Sequence, residues 1–202
     1  MTTTEPARDT PPARRPPNRR DLILEAAVRL FHEQGYPATS VDDIGKAVDV
    51  SGPAIYRHFS SKEDLLLEAI RMAADEVQTI HDAARADAAS PEELLQRYIR
   101  AYVEVALDRS AMIAVWNSEA RHVSPERRSR TMRRLRAWSS DWVQALQDSR
   151  PELGEPEARL RVSGAIGLIT SVATGPDTGV ASDTLADSIT AMALAILDTP
   201  AA

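Results

Sequence analysis

Residues 39–62 read TSVDDIGKAVDVSGPAIYRHFSSK and contain two short helical patterns joined by a tight turn. In the first pattern, apolar residues recur at helical spacing on one face: Val41, Ile44, Ala47 and Val48. In the second pattern, Ile55 and Phe59 lie four residues apart, so the two helices can bury these faces against each other. The spacing therefore predicts a helix-turn-helix.

The second helix of this pair, expected over Ser51–Phe59, leaves small, aromatic and basic residues facing outward: Ser51, Gly52, Ala54, Tyr56 and Arg57. Small residues let a helix backbone approach base edges, and a tyrosine and basic groups can reach phosphates. This chemistry predicts a recognition helix that reads double-stranded DNA.

The charge of the chain is divided unevenly along its length. Residues 1–62 carry nine Lys and Arg against eight Asp and Glu, whereas residues 63–202 carry fifteen against twenty-two. We therefore expect three parts: a basic, Pro-rich and disordered arm over 1–18, a DNA-binding head over 19–62, and an acidic body over 63–202.

Helical signals continue through the whole body, and no strand pattern interrupts them. Ser90-Pro91 and Ser124-Pro125 are start signals of helices, as is Ser60 with Glu63, which we expect to form a capping box. Further helices are expected near 110–121, 156–174 and 182–197. The sequence thus predicts an all-α fold of about nine helices, with a three-helix head and a helical-bundle body.

Several classes of protein are disfavoured by composition. The chain has no Cys, no apolar run long enough for a membrane span and no apolar signal core, so we expect a cytoplasmic protein. Glu119 and His122 have the spacing of a carboxylate–histidine metal motif, but no second pair accompanies them. We expect no metal, no cofactor, no catalytic residues and no enzyme activity.

Residues 20–70 resemble the TetR (tetracycline-repressor) family of transcription regulators. The match rests on residues at fixed spacing: Phe31, Gly35, Thr39, Val41, Ile44, Val50-Ser51, Ile55-Tyr56, His58-Phe59, Ser61-Lys62-Glu63 and Leu65-Leu66. The resemblance implies a homodimer whose two heads read a palindromic operator. It also implies a small-molecule site in the body that changes the spacing of the heads.

Two positions depart from the family pattern. Asp49 stands where the family turn usually has glycine, and a left-handed conformation there would cost about 1 kcal/mol, which Asp tolerates better than most residues. Pro53 also replaces a common glycine. Because the first N–H groups of a helix have no partner within it, this proline does not threaten the recognition helix.

The resemblance assigns Tyr56 and His58 to phosphates and Arg57 to the groove or its wall; the alternative is surface packing. Lys62 begins the long helix and is expected to clamp a phosphate, with a solvated lysine as the alternative. Further residues are expected at the DNA on both sides of these: Arg19 and Arg20 at the start of the first helix, Thr39 and Ser40 before the second, and Pro53 with its neighbours.

The body holds candidates for an effector site. The densest basic run is Arg127, Arg128, Arg130, Arg133, Arg134 and Arg136. A solvated helix face is one interpretation of it, and an anionic, amphipathic effector such as an acyl-coenzyme A is the other. The apolar part of such a ligand would lie among aromatic residues that any bundle core also needs. The effector candidates are Tyr98, Tyr102, Trp116, Glu119, His122, Trp138 and Trp142.

The last two helices are expected to form a two-fold interface between subunits, the alternative being the core of a monomer. Residues 156–174 are apolar or small on nearly every side. The interface candidates are Gly164, Gly167 and Ser171 in this helix, and Leu185, Ile189, Met192 and Ile196 in the next.

These observations predict a dimeric, ligand-responsive, DNA-binding transcription regulator, most simply a repressor. Two alternatives stay open: a constitutive DNA-binding protein without an effector, and a helical small-molecule binding protein or enzyme with a vestigial head. The sequence identifies neither the effector, the operator nor the regulated genes.

Overall fold

The computed structural model describes residues 18–200, without the side chains of residues 87, 134–136 and 183. Almost all of the predicted arm therefore lies outside the described residues. Within them the chain forms helices and no strand, which confirms the all-α prediction. The helices are α1 (Arg19–Gln34), α2 (Val41–Ala47), α3 (Gly52–Tyr56), α4 (Lys62–Asp87), α5 (Pro91–Asp108), α6 (Ser110–Glu119), α7 (Pro125–Ser149), α8 (Glu155–Thr174) and α9 (Ser182–Asp198), with a 3₁₀ turn at Ala120–His122 between α6 and α7.

Side-chain caps explain where the helices of the head begin. Asn18 and Asp21 form a capping box at α1, and Ser40 and Asp43 form another at α2. The capping box predicted for Ser60 and Glu63 was wrong: Ser61 is the N-cap of α4, and its hydroxyl accepts a hydrogen bond from the Asp64 backbone N–H.

Two hydrophobic cores divide the molecule. The first joins α1–α3 to the beginning of α4, from Leu65 to Ile70, and also takes in Val115 and Trp116 of α6. The second joins α5, α7, α8 and α9 to the later part of α4, beginning at Val77. Because α4 belongs to both cores, the head expected over 19–62 extends its core about two turns into this helix.

The corner between α6 and α7 lies next to the head. Residues of α6 pack on α1 and α4, and the corner residue Val123 is buried in the head's core. This arrangement places one wall of the body directly against the DNA-binding part of the chain.

Candidate functional site

The turn between α2 and α3 is closed by the backbone. Asp49 has φ 53°, which confirms the left-handed conformation considered from the sequence. The Arg19 Nη2 donates to the Asp49 carbonyl oxygen over 2.9 Å, and the Val50 N–H donates to the Gly45 carbonyl over 2.9 Å. The turn therefore fixes the position of α3 relative to α1 and α2.

The helix α3 is shorter than the predicted Ser51–Phe59, although hydrogen bonds from His58 and Phe59 to the Ile55 carbonyl continue one more turn. Most of its candidate residues point to solvent. Tyr56 is 53% exposed. Ser51, Pro53, Arg57 and His58 are also exposed, Ala54 is half-buried, and Gly52 is buried beside Asp42.

The two hydroxyl residues before α2 have different environments. Thr39 is buried, and its hydroxyl contacts the carbonyl oxygens of Leu30 and Gly35 at 3.1 and 2.9 Å. Ser40 is exposed and caps α2, with its hydroxyl 2.6 Å from an Asp43 carboxylate oxygen. Of the two, only Ser40 presents its hydroxyl at the surface.

Lys62 has partners inside the head. Its ammonium donates to the carbonyl oxygens of Tyr36 and Thr39 over 2.7 and 2.9 Å, and it lies 4.3 Å from the centre of the Tyr36 ring. Burial lowers the pKa of this amine and raises the pKa of the Tyr36 phenol. The phosphate role of Lys62 stays a prediction. In this structure the Lys62 ammonium joins the loop after α1 to the start of α4.

Arg20 also joins parts of the head. Its guanidinium lies 4.7 Å from the Phe59 ring centre and pairs with Glu68 of α4. Hydrogen bonds from Arg71, and then from Arg20, hold the pKa of Glu68 below its usual value. Arg19 and Arg20 thus position α1, and their remaining N–H groups can still donate to a phosphate.

A polar contact, the junction, joins the α6–α7 corner to the first turn of α4. Arg127 of α7 pairs with both Glu63 and Asp64. The Ser124 N–H donates to a Glu63 carboxylate oxygen over 3.0 Å. Hydrogen bonds from Ser60 and then Arg127 lower the pKa of Asp64, so this carboxylate stays ionised at neutral pH.

The predicted effector residues fall into two groups. Tyr98, Tyr102, Trp138 and Trp142 pack together in the second core, around a residue that sequence analysis missed, His81 of α4. The His81 ring centre lies 4.4 Å from that of Tyr98 and 5.6 Å from that of Trp138. The signal in the sequence was its position four residues after the buried Val77 on the apolar face of α4.

His81 is 1% exposed, and its surroundings favour the neutral imidazole. Trp142 Nε1–H donates to His81 Nε2 over 3.3 Å, whereas Nδ1 has no hydrogen-bond partner among the described residues. Burial lowers its pKa to about 4, outweighing the opposite effects of Asp141 and Asp82. The ring therefore acts as a buried polar member of an aromatic cluster.

Trp116, Glu119 and His122 lie apart from that cluster, near the junction. Glu119 is buried, and its Oε2 lies 3.4 Å from His122 Nε2 without hydrogen-bond geometry. The His122 ring stacks on Tyr36 of the head, with centres 5.6 Å apart. In the described part of the chain, no three His, Asp or Glu side chains come together as a metal site would require.

A cavity of about 390 Å³, the body cavity, lies between α4, α5, α6, α7 and α8. Three predicted effector residues line it, Tyr102, Trp116 and Trp138, whereas Tyr98 and Trp142 do not. Its further apolar lining includes Met112, Ile113, Met132 and Ile166, which are not among the predicted effector residues. The charged Arg109 in its wall is paired with Glu76.

The candidate interface residues on α8 and α9 mostly share one exposed face. Gly164, Gly167 and Ser171 are exposed, Met192 is 43% exposed, and Leu185 and Ile196 are partly exposed. Ile189 is a correction: it is 0% exposed within the single chain, since it faces the second core and cannot reach a partner. Leu160, which sequence analysis did not select, is 71% exposed on α8.

The arginine run on α7 does not behave as one unit. Arg127 belongs to the junction, whereas Arg130 and Arg133 are exposed. The side chains of Arg134 and Arg136 lie outside the described residues.

Two family models match the chain. Residues 23–69 match the N-terminal model of the tetR family of bacterial regulatory proteins. Residues 88–197 match a model described as a tetracyclin repressor-like C-terminal domain. Together these matches cover the helix-turn-helix and nearly all of α5–α9.

Relatives and solved structures agree with these matches. The transcriptional repressor KstR2 of Mycolicibacterium smegmatis is 30% identical over 149 residues, 70% of this chain and 69% of the relative. The structure of KstR2 of Mycobacterium tuberculosis has a TM-score of 0.70 at 26% identity, covering 89% of this chain and 93% of that one. PfmR of Thermus thermophilus has a TM-score of 0.73 at 26% identity, covering 87% of this chain and 96% of that one. The chain therefore belongs to the TetR family and is a DNA-binding transcription regulator.

Proposed function

We propose that the protein is a cytoplasmic, dimeric repressor that releases a palindromic operator when a small molecule enters the body cavity. The observation that carries the proposal is the double role of α6. Met112, Ile113 and Trp116 of this helix line the cavity, and Trp116 is also buried in the head's core. The same helix leads directly into the junction, where Arg127 holds Glu63 and Asp64.

On the DNA side, α3 would enter the major groove with Ser51, Pro53 and Ala54 near base edges. Tyr56, Arg57 and His58 would contact the backbone and groove wall, and Ser40, Arg19 and Arg20 would reach adjacent phosphates. Two such heads would occupy successive major grooves roughly 34 to 36 Å apart. Residues 19–62 would thus supply DNA binding, and residues 63–202 effector binding and dimerisation.

Dimerisation would use the exposed face of α8 and α9. Leu160, Gly164 and Met192 would meet their equivalents in the partner across a two-fold axis, because a palindromic site requires a two-fold protein. That face combines small residues with exposed apolar side chains, which a monomer leaves in water.

Effector release would follow from differential binding. A ligand in the body cavity displaces α6, the α6–α7 corner moves with it, and the junction transmits that movement to the first turn of α4. The ligand releases DNA only to the extent that it binds the displaced arrangement more tightly. Repression is favoured because the KstR2 relatives are themselves transcriptional repressors.

A gel shift with DNA from immediately upstream of the protein's own gene tests the proposal. We expect a discrete complex that resists nonspecific competitor DNA. The Tyr56→Ala variant should weaken it at least tenfold, since an exposed phosphate contact is lost. The control Arg133→Gln, an exposed residue on α7, should bind like the wild type.

The remaining outcomes favour the two alternatives. Unchanged operator affinity in the presence of every tight-binding small molecule would favour a constitutive DNA-binding protein. Failure to bind any DNA at low salt, with tight small-molecule binding, would favour a protein with a vestigial head.

A further inference from the structure

A second hollow adjoins the body cavity. The junction groove, of about 410 Å³, lies between α1, the turn that follows α3, α4 and α7. Ile70 and Ala74 of α4 line both the groove and the cavity. On α7, Thr131 lines the groove and the next residue, Met132, lines the cavity. The two hollows are therefore neighbours that have lining residues in common.

The two hollows differ in chemistry. The body cavity is walled mainly by aromatic and aliphatic side chains, and its Arg109 is already paired with Glu76. The junction groove holds four arginines against two carboxylates: Arg20, Arg71, Arg127 and Arg130 against Asp64 and Glu68. Both carboxylates have lowered pKa values and are ionised at neutral pH, so among the residues that line the groove the arginines outnumber the carboxylates by two. Two further carboxylates outside the lining, Glu63 and Asp75, pair with Arg127 and Arg71.

Arg130 supplies the cation that an incoming ligand can use. Arg20, Arg71 and Arg127 form ion pairs with Glu68, Asp75, Glu63 or Asp64. Within residues 18–200, Arg130 forms no ion pair with a described side chain, and it is exposed. An anion in the groove would therefore gain a charge-assisted hydrogen bond without first breaking an ion pair.

We propose that the effector is an amphipathic organic anion, with its apolar part in the body cavity and its anionic headgroup held by Arg130 in the junction groove. This inference rests on the proposed effector role of the cavity. The groove has walls from the head, at Arg20 and His58, and from the body, at Arg127 and Arg130. A headgroup there contacts both sides of the junction, so its affinity depends on the position of the head, as release of DNA requires.

Isothermal titration of the full chain with four probes tests the inference: decanoyl-coenzyme A, coenzyme A, decanoate and decanol. The variant is Arg130→Gln, and the matched control is Arg133→Gln, an exposed arginine three residues further along α7 that does not line the groove. Binding at two salt concentrations measures the electrostatic part.

We expect decanoyl-coenzyme A or decanoate to bind more tightly than decanol, and more weakly at high salt. Arg130→Gln should lower the affinity for these anions about tenfold, the loss of one charge-assisted hydrogen bond, and leave decanol unaffected. Arg133→Gln should match the wild type. Tighter binding of decanoyl-coenzyme A than of decanoate identifies a phosphorylated headgroup. Tighter binding of decanoate identifies a carboxylate.

Equal affinity of Arg130→Gln and the wild type for the anions would overturn the inference, as would tighter binding of decanol or no binding of any probe. A failure of the proposed function would give a different result. An anion that binds through Arg130 but leaves the operator complex intact would refute effector release and retain the site.

Discussion

The turn of the helix-turn-helix and the wall of the body cavity differ in how tightly the backbone is packed. A Cβ atom added at Gly45 would lie 2.5 Å from the Val50 carbonyl oxygen, a contact with backbone that cannot move aside. A Cβ atom added at Gly167, in the cavity wall, would meet no atom within 4 Å. The head is thus built to hold one geometry, whereas at the exposed Gly167 the backbone of the body leaves open space around an added atom.

Replacing these two glycines by alanine tests the difference directly. Gly45→Ala should destabilise the head by about 3 kcal/mol, the upper end of the usual cost of overpacking, and abolish the operator complex. Gly167→Ala should stabilise α8 by up to about 1 kcal/mol, because alanine favours a helix more than glycine does. Thermal unfolding and gel shifts measure both effects. Equal stability of the two variants would contradict the comparison.

The difference in packing also explains what the sequence could reveal. In the head, the helical spacing of apolar residues predicts the helix-turn-helix, and the resemblance to the TetR family, whose turn usually has glycine in the place of Asp49, raises the left-handed conformation found there. Helical periodicity assigns a residue to a face of a helix, but it does not identify the element or subunit against which that face packs. It therefore predicts Ile189 at a partner subunit, whereas the side chain of Ile189 packs in the second core.

The residues of the candidate site were harder to predict, because helical periodicity does not identify contacts between residues that are distant in the sequence. The place of Lys62 at a helix start predicts a phosphate contact, which stays a prediction, but the spacing does not reveal that Tyr36 and Thr39, more than twenty residues away, offer its ammonium two carbonyl oxygens. The body cavity is a space between five helices, and such a space has no sequence pattern. Tyr102, Trp116 and Trp138 were found because they are aromatic, and the aliphatic lining was not.

The body also contains a closely packed region, the aromatic cluster around the buried His81. Its histidine has a pKa of about 4 in the folded chain against an ordinary 6.5, so the unfolded chain binds the proton more tightly. The stability from the neutral ring is complete above about pH 6.5 and is lost as the pH falls toward 4. Between pH 7 and pH 5 we expect the free energy of unfolding to fall by about 2 kcal/mol.

Urea unfolding at several pH values measures this loss, and a substitution isolates it. His81→Phe keeps an aromatic ring in the cluster and should remove most of the dependence between pH 7 and pH 5. His32→Gln, at an exposed histidine of α1, is the control and should retain it. If the free energy of unfolding of the wild type changed with pH no more than that of His81→Phe, this part of the body would not be closely packed around the imidazole.

The smallest effect is expected at Asp49, where the head holds an L-residue at φ 53°. Asp49→Gly should raise the free energy of unfolding by up to about 1 kcal/mol, since glycine adopts this conformation without strain between Cβ and the carbonyl oxygen. Asp49→Ala should lower it, because alanine has the same strain and no short polar side chain to relieve it. The hydrogen bond from Arg19 goes to the Asp49 carbonyl oxygen, which all three residues possess, so this contact does not change. The order Gly, Asp, Ala in thermal unfolding would therefore show that the backbone at this position is held in the left-handed region. If Ala instead proved the most stable, the turn would have relaxed out of the left-handed region, and the single geometry attributed to the head would be wrong.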